Sequence, residues 1–247
     1  MLLHGTGDNA HMWDDFSSSV AGRFKVIALD QRGHGESDWV RPPAYRCEDY
    51  VNDLDQVIKA LELPHPILMG HSMGALHATR YAAVKGASIA ALIHVDIEPR
   101  PPSWNRAYLR DLYHSLPASY GSVQEVVRGM EKASPYATEE TLHRLASFAL
   151  REGPGGKLYN KYDREVLDCF DHYDLRKDLP RITCPSLIIR GAQSRVMRKE
   201  AALEMEKAIP KSRYVEIPRS THQVPSDNPG AFREAVVNFL KRSGLVD

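Results

Sequence analysis

The sequence predicts a doubly wound α/β sheet, and two patterns carry that prediction. Short apolar runs alternate with longer stretches of helical period at both ends of the chain. Runs such as ALIHV (91–95) and SLII (186–189) are apolar almost without a break, as strands covered on both faces must be. The strands expected are Leu2–His4, Lys25–Asp30, Ile67–Gly70, Ile89–Val95, Ser186–Arg190 and Arg213–Ile217. Helices are expected between them at Met12–Val20, Asp49–Leu61, Met73–Val84, Lys199–Ala208 and Ala231–Lys241. Asp227, ahead of Asn228-Pro229, is read as the start signal of the last one.

From Pro99 to about Pro180 the alternation stops and only helical patterns remain. Trp104, Tyr108, Leu109, Leu112, Tyr113 and Leu116 recur at helical spacing. Ser122 and Glu125 make a capping-box pattern. Thr138 precedes two acids suited to the positive end of a helix, EGPGGK (152–157) is a turn, and Tyr162–Phe170 resumes the helical pattern. An all-helical insertion between two parallel strands would lie over the carboxyl edge of the sheet as a lid. Its aromatic stripes are expected to be packing surfaces first. The organisation expected is therefore a core formed by residues 1–97 and 181–247, with a helical cap at 98–180.

Composition narrows the function. The 247 residues, 43% of them hydrophobic, suffice for one large domain or a domain with an insertion. A formal net charge of zero argues against a nucleic-acid surface, and no Lys/Arg run marks a lipid-binding patch. Cys47, Cys169 and Cys184 match no metal or redox spacing. Nothing resembles a transmembrane span or an export signal, so a cytoplasmic protein is expected. No H-x-x-x-H or comparable ligand set occurs, and neither a metal nor another cofactor is expected.

The chemistry concentrates in three places. ILMGHSMGA (67–75) follows a strand, opens a helix and sets Ser72 between Gly70 and Gly74, matching G-x-S-x-G. A nucleophile on such a sharp turn is strained, and side chains two residues to either side would collide. In LLHGTGD (2–8), a His-Gly pair ends an early strand. There the Thr6 N–H, with that of Met73, would form an oxyanion hole. His222 lies beyond the final strand, where it can swing over Ser72 as general base. ALDQRGHGESD (28–38) is a tight loop that Asp30 and Arg32 brace, with His34 structural; His4, His11 and His94 either line the site or pack.

These motifs, in this order, resemble the α/β-hydrolase superfamily over essentially the whole chain, and within it the capped serine-esterase and enol-lactonase-like branch. The resemblance implies Ser72 as nucleophile, His222 as base, and Thr6 and Met73 as oxyanion donors. Three departures stand out. The first strands of the usual sheet are missing, which would leave Lys25–Asp30 as an edge open to a second copy in a homodimer. Ala75 replaces a common glycine. Ser194, followed by Arg195, occupies the position where these relatives usually carry the catalytic acid. Asp96 ends the strand next to the nucleophile strand and could reach His222 from there, as in some members of the superfamily. Glu98 and the cap residue Asp171 are the alternatives.

The expected reaction is hydrolysis of a carboxylic ester or lactone through an acyl-enzyme. Serine at the elbow argues against haloalkane dehalogenase and epoxide hydrolase chemistry, whose enzymes in this superfamily carry Asp there. A carbon–carbon bond hydrolase of a dienoic keto-acid shares the Ser and His. A ligand-binding member with a broken triad is the reading outside enzymology, and Ser194 and Arg195 are what keep it open.

Overall fold

The computed structural model of the chain describes residues 1–169 and 173–246. Among them, six strands make one sheet, with every pair parallel: β1 (Leu2–Leu3), β2 (Ala28–Leu29), β3 (Ile67–His71), β4 (Ala91–Val95), β7 (Ser186–Gly191) and β8 (Ser212–Ile217). Two further strands, β5 (Leu150–Glu152) and β6 (Leu158–Asn160), pair antiparallel with each other outside it. The spatial order is β2-β1-β3-β4-β7-β8. The winding runs outward from β1 to β2, then returns past β1 to β3. A crevice opens outside the carboxyl ends of the strands where the winding reverses in this way, here between β1 and β3.

Side chains alternate across the sheet, and both faces are buried. Leu3, Leu68, Leu92 and Ile188 pack towards Leu54 of α2 (Cys47–Ala60), Leu76 of α3 (Met73–Lys85) and Met205 of α8 (Lys199–Ala208). Leu2, Met69, Ile93 and Leu187 pack on the other side with Trp13, with Phe16 of α1 (Asp14–Val20) and with Phe232 and Val236 of α10 (Pro229–Arg242). Among the described residues no helix is long and apolar enough to cross a membrane. An apolar cavity of about 400 Å³ sits at the amino ends of the strands, lined by Phe24, Ile67 and Leu240 among others, at the opposite end of the sheet from the crevice.

Several expectations need correction. The segment 98–180 is not all-helical. It carries α4 (Ser103–Ser115), α5 (Val123–Ala133), α6 (Glu139–Phe148) and the short α7 (Glu165–Asp168), with the β5–β6 hairpin between α6 and α7. The turn at EGPGGK is the tip of that hairpin, where Gly153 N–H donates to Lys157 O at 2.9 Å. Along α4 the aromatic stripe is not a packing surface: Trp104 is 61% exposed and Tyr108 57%, and Tyr113 alone of the three aromatic side chains turns inward. Ser122 caps α5 by position, but its side chain makes no cap hydrogen bond. Thr138 does cap α6, accepting from Thr141 N–H. Asp227 ends α9 (Val224–Asp227), and the cap of α10 is Asn228, whose Oδ1 accepts from Ala231 N–H at 3.2 Å. The edge strand expected over Lys25–Asp30 pairs only at Ala28 and Leu29.

The 98–180 segment is tied to the rest of the chain by several hydrogen bonds. Asp163 N–H donates to Gly33 O at 2.7 Å, its carboxylate takes Arg41 at 2.5 Å and Tyr45 Oη at 2.6 Å, and Tyr113 Oη donates to Thr6 O at 2.7 Å.

Buried imidazoles fasten the strand ends together. His4 Nδ1 donates to Gly5 O and its Nε2 accepts from Gln31 N–H, while Gln31 donates back to His4 O and accepts from His77 Nδ1. His94, on the α3 side of β4, accepts from Thr79 and donates to Ile97 O, so both His4 and His94 are packing groups. Burial holds these rings neutral: it pushes His34 and His94 down to about 4, His71 and His77 to about 3, and His4 well below its usual value. An unfolded chain protonates the same rings near pH 6.5. Below that pH the unfolded state binds more protons than the folded one, and each such ring costs about 1.4 kcal/mol of stability per pH unit until its folded pKa is reached. Asp8, pushed up to about 6, offsets one proton. The urea midpoint is therefore expected to drop steeply from pH 7 to pH 5. Equal midpoints at the two pH values would contradict the neutral-ring arrangement.

Candidate active site

The elbow is built as its glycines require. Ser72 has φ 53° and ψ −122°, a conformation that side chains other than glycine adopt only under constraint. The constraint comes from both sides. Ser72 N–H donates to Val95 O of β4 at 2.9 Å, and its own carbonyl accepts from Ala75 N–H at 2.9 Å as α3 begins. A Cβ on Gly70 would collide with the Gly74 carbonyl, and one on Gly74 would stand 2.6 Å from the carbonyl oxygens of Leu3 and His4. The nucleophile strand, the elbow helix and β1 touch backbone to backbone here. Ala75, the residue in place of a second glycine, is fully buried and fits.

Thr6 lies just past β1, and Met73 is the first residue of α3. Among the described residues neither N–H donates to a protein acceptor. The Thr6 peptide is held from its other end by Tyr113 Oη. Helix α3 adds the positive end of its dipole at Met73.

His222 sits in the loop between β8 and α9, and its Nδ1 donates to Asp96 Oδ2 at 2.8 Å. Asp96 is fully buried at the end of β4, with φ 54°. Its Oδ1 accepts from Gly191 N–H at 2.8 Å, and its Oδ2 also accepts from Ser194 Oγ at 2.5 Å. Ser194 Oγ in turn accepts from the N–H groups of Val196 and Met197, at 3.1 and 3.3 Å. Ser194 thus braces the Asp96 carboxylate. Arg195 next to it is exposed.

The other acids are occupied elsewhere or out of view. Glu98 is buried in a two-pronged pair with Arg198, at 2.7 and 2.8 Å. Asp171 lies outside the described residues. Asp227 holds the base loop, accepting from Thr221 N–H at 2.7 Å and Thr221 Oγ1 at 2.6 Å, and Gln193 Oε1 accepts from Ser220 N–H at 2.9 Å.

His71 Nε2 donates to the His222 carbonyl at 2.8 Å, and the two rings lie 4.6 Å apart. His222 is therefore anchored at Nδ1 by Asp96 and at its backbone by His71. No direct Ser72–His222 hydrogen bond forms in this arrangement; contacts of this kind are often long without a bound ligand and tighten in the reactive complex. Asp8, Tyr113, His71 and Ser194 all reach the site without having been assigned to it from sequence. The prior signs were Asp8 and His71 inside motifs quoted for other residues, Tyr113 in the aromatic stripe of the inserted segment, and Ser194 in the position where relatives usually carry the acid.

A family model described as the alpha/beta hydrolase fold matches residues 1–229. The chain belongs to the α/β-hydrolase family. Among curated relatives, 2-(acetamidomethylene)succinate hydrolase of Mesorhizobium japonicum is 26% identical, the match covering 97% of this chain and 87% of that protein. An esterase of Mycobacterium tuberculosis is also 26% identical, over 97% of this chain and 82% of its own. N-formylmaleamate deformylase of Pseudomonas putida is 25% identical, over 97% and 87%. Solved structures agree on the fold: the tuberculosis esterase superposes with a TM-score of 0.84 at 26% identity, covering 97% of this chain and 84% of that one. E-2-(acetamidomethylene)succinate hydrolase superposes with 0.89 at 24% identity, covering 97% and 90%. The protein is a hydrolase of the α/β fold.

For this α/β hydrolase, Gly70→Ala is expected to destabilise the fold by several kcal/mol, because the new methyl meets backbone rather than a yielding side chain. Thermal unfolding checks this. A melting temperature close to that of the unmodified chain would show that the elbow can relax.

Proposed function

We propose that the chain is a serine hydrolase of carboxylic esters or lactones that works through an acyl-enzyme. The observation that carries this reading is the Asp96–His222 hydrogen bond beside the strained Ser72, with two N–H donors nearby. Asp96 fixes the hydrogen on Nδ1, which leaves the Nε2 lone pair free. His222 Nε2 takes the Ser72 Oγ proton as the oxygen attacks the carbonyl carbon, and Asp96 stabilises the imidazolium without taking the proton itself. The N–H groups of Thr6 and Met73 receive the charge that develops on the carbonyl oxygen. When the tetrahedral intermediate collapses, His222 returns its proton to the leaving alkoxide, and the alcohol departs. Water, activated by His222, then attacks the acyl-enzyme and frees the acid and Ser72.

A second reading keeps the same Ser72 and His222 but takes a substrate other than an ester, such as a carbon–carbon bond or an N-acyl group. The names of two relatives favour it, since they designate an acetamidomethylene succinate hydrolase and a formylmaleamate deformylase. Turnover of p-nitrophenyl esters of graded length, lactones, N-acyl compounds and dienoic keto-acids separates the readings. A ligand-binding role would leave Ser72 unlabelled by a fluorophosphonate.

Under this mechanism Ser72→Ala abolishes turnover with nearly unchanged thermal unfolding. Asp96→Asn stays folded and costs about 10⁴ in kcat, the loss seen when the amide enforces the wrong tautomer, while Glu98→Gln does far less. Ser194→Ala removes a hydrogen bond to a charged group and is expected to cost about 10- to 100-fold in kcat, with Ser194→Thr recovering much of it. Steady-state kinetics on any substrate from the panel decides each case. An Asp96→Asn variant with undiminished kcat, measured where acylation limits turnover, would remove Asp96 from the mechanism.

A further inference from the structure

The turn after β1 brings a second acid to the nucleophile. The point where a Cβ would stand on Gly5 lies 3.1 Å from Ser72 Cβ, 3.0 Å from His71 Nδ1 and 3.3 Å from Asp8 Oδ2. Asp8 and the His71 ring thus meet the nucleophile on one face of Gly5. The two groups have something in common, in that each is an acceptor lacking a donor. His71 spends its hydrogen on the His222 carbonyl through Nε2, so Nδ1 is a bare lone pair, buried and without a partner among the described residues. Asp8 is half-buried under the cap, and among the described residues no Lys or Arg pairs with it. The electrostatic influences recorded on its carboxyl are burial, which pushes it up to about 6, and the opposing effect of His222.

Above that pH the site therefore holds an anion close to where a negative oxyanion must form. The Tyr113 hydroxyl does not serve Asp8, because its Oη is committed to Thr6 O. An unpaired anion is costly to keep in a partly desolvated site unless a ligand satisfies it. A substrate carboxylate at this place would set two like charges face to face, whereas an ammonium would give a hydrogen to Asp8 and offset its charge.

We propose that Asp8 selects acyl groups bearing a protonated amine on the carbon next to the scissile carbonyl, and rejects acyl groups bearing a carboxylate there. The proposal rests on the serine-hydrolase reading of the site and adds a substrate class to it.

Three esters of matched shape test it: ethyl glycinate, ethyl propanoate and monoethyl malonate, which place an ammonium, a methyl and a carboxylate at one position. At pH 7, kcat/KM is expected to fall in that order, with the glycinate ahead of the malonate by about 100-fold or more. Asp8→Asn is expected to shrink the glycinate-to-malonate ratio by at least about 10-fold, and Asp8→Ser serves the same comparison should the amide variant fail to fold. The glycinate-to-propanoate ratio is also expected to fall on acidification through about pH 6, as Asp8 takes up a proton. The groups facing Asp8 do not mimic this. His71 stays neutral because burial holds it near 3, Tyr113 stays protonated because burial pushes it up, and His222 acts equally on both esters and cancels in the ratio. The same ratio can be read from the rate at which aminomethyl and ethyl fluorophosphonates label Ser72, which does not require turnover of small esters. Labelled Ser72 with a ratio that Asp8→Asn leaves unmoved overturns the Asp8 role alone, as does preference for the malonate. Absence of labelling by either probe overturns the serine-hydrolase reading, and the Asp8 role with it.

Discussion

Three hydrogens converge on the two oxygens of Asp96, from Gly191 N–H, Ser194 Oγ and His222 Nδ1, and they come from the end of β7, the loop after it and the loop after β8. A carboxylate with no exposed surface needs such donors, because burial without them would cost several kcal/mol or force it to take up a proton. The consequence runs in both directions. The donors satisfy the buried carboxylate of Asp96, and the carboxylate keeps three separately folded pieces of backbone in register. His222 is fixed further by His71 through its carbonyl, so the base is held by the strand of the nucleophile and by the strand beside it.

Backbone strain also falls at these two strand ends. Ser72 and Asp96 have nearly the same φ, 53° and 54°, and they follow adjacent strands. Neither is glycine, so each conformation costs of order 1–3 kcal/mol. The sheet supplies the restraint: Ser72 N–H is bound to Val95 O, and Asp96 N–H to Ile189 O. Each strained residue thus hangs from the strand next to its own, and the parallel ladder carries the strain into the buried core.

Much of this was legible in the sequence because it depends on local rules. Gly70 and Gly74 flank Ser72 for steric reasons that any strand-to-helix elbow imposes, and near-continuous apolar runs such as ALIHV mark a strand covered on both faces. Asp96 could be reached by reasoning because it sits one strand away from the nucleophile. The remainder depends on contacts between distant residues. The bond from Ser194 to Asp96 links positions 98 apart in the chain, and nothing in QSRV announces it. The β5–β6 hairpin has strands of three residues, too short to establish a period of two against the helical background around it. The stripe on α4 has the spacing of a packed face, and the packing partner is what the sequence could not supply: Trp104 and Tyr108 remain in solvent. Asp227 was placed one residue early as a helix cap because Asx-type residues adjoin there; Asn228 takes that role, and Asp227 is engaged by Thr221.

The position of Asp96 also shapes how such a gene can diverge. Of the residues proposed for catalysis, Thr6, Ser72, Met73 and Asp96 all fall within the first 96 residues, and the 98–180 segment begins just afterwards. Only His222 must be delivered from beyond it, by β7 and β8. With an acid in the loop after β7, any insertion would have to preserve the placement of two catalytic groups downstream of it. With the acid at the end of β4, the cap can lengthen, shorten or be exchanged, provided that β7 still docks on β4. The segment between β4 and β7 is then free to vary as a cassette, while Thr6, Ser72, Met73 and Asp96 are inherited in one block.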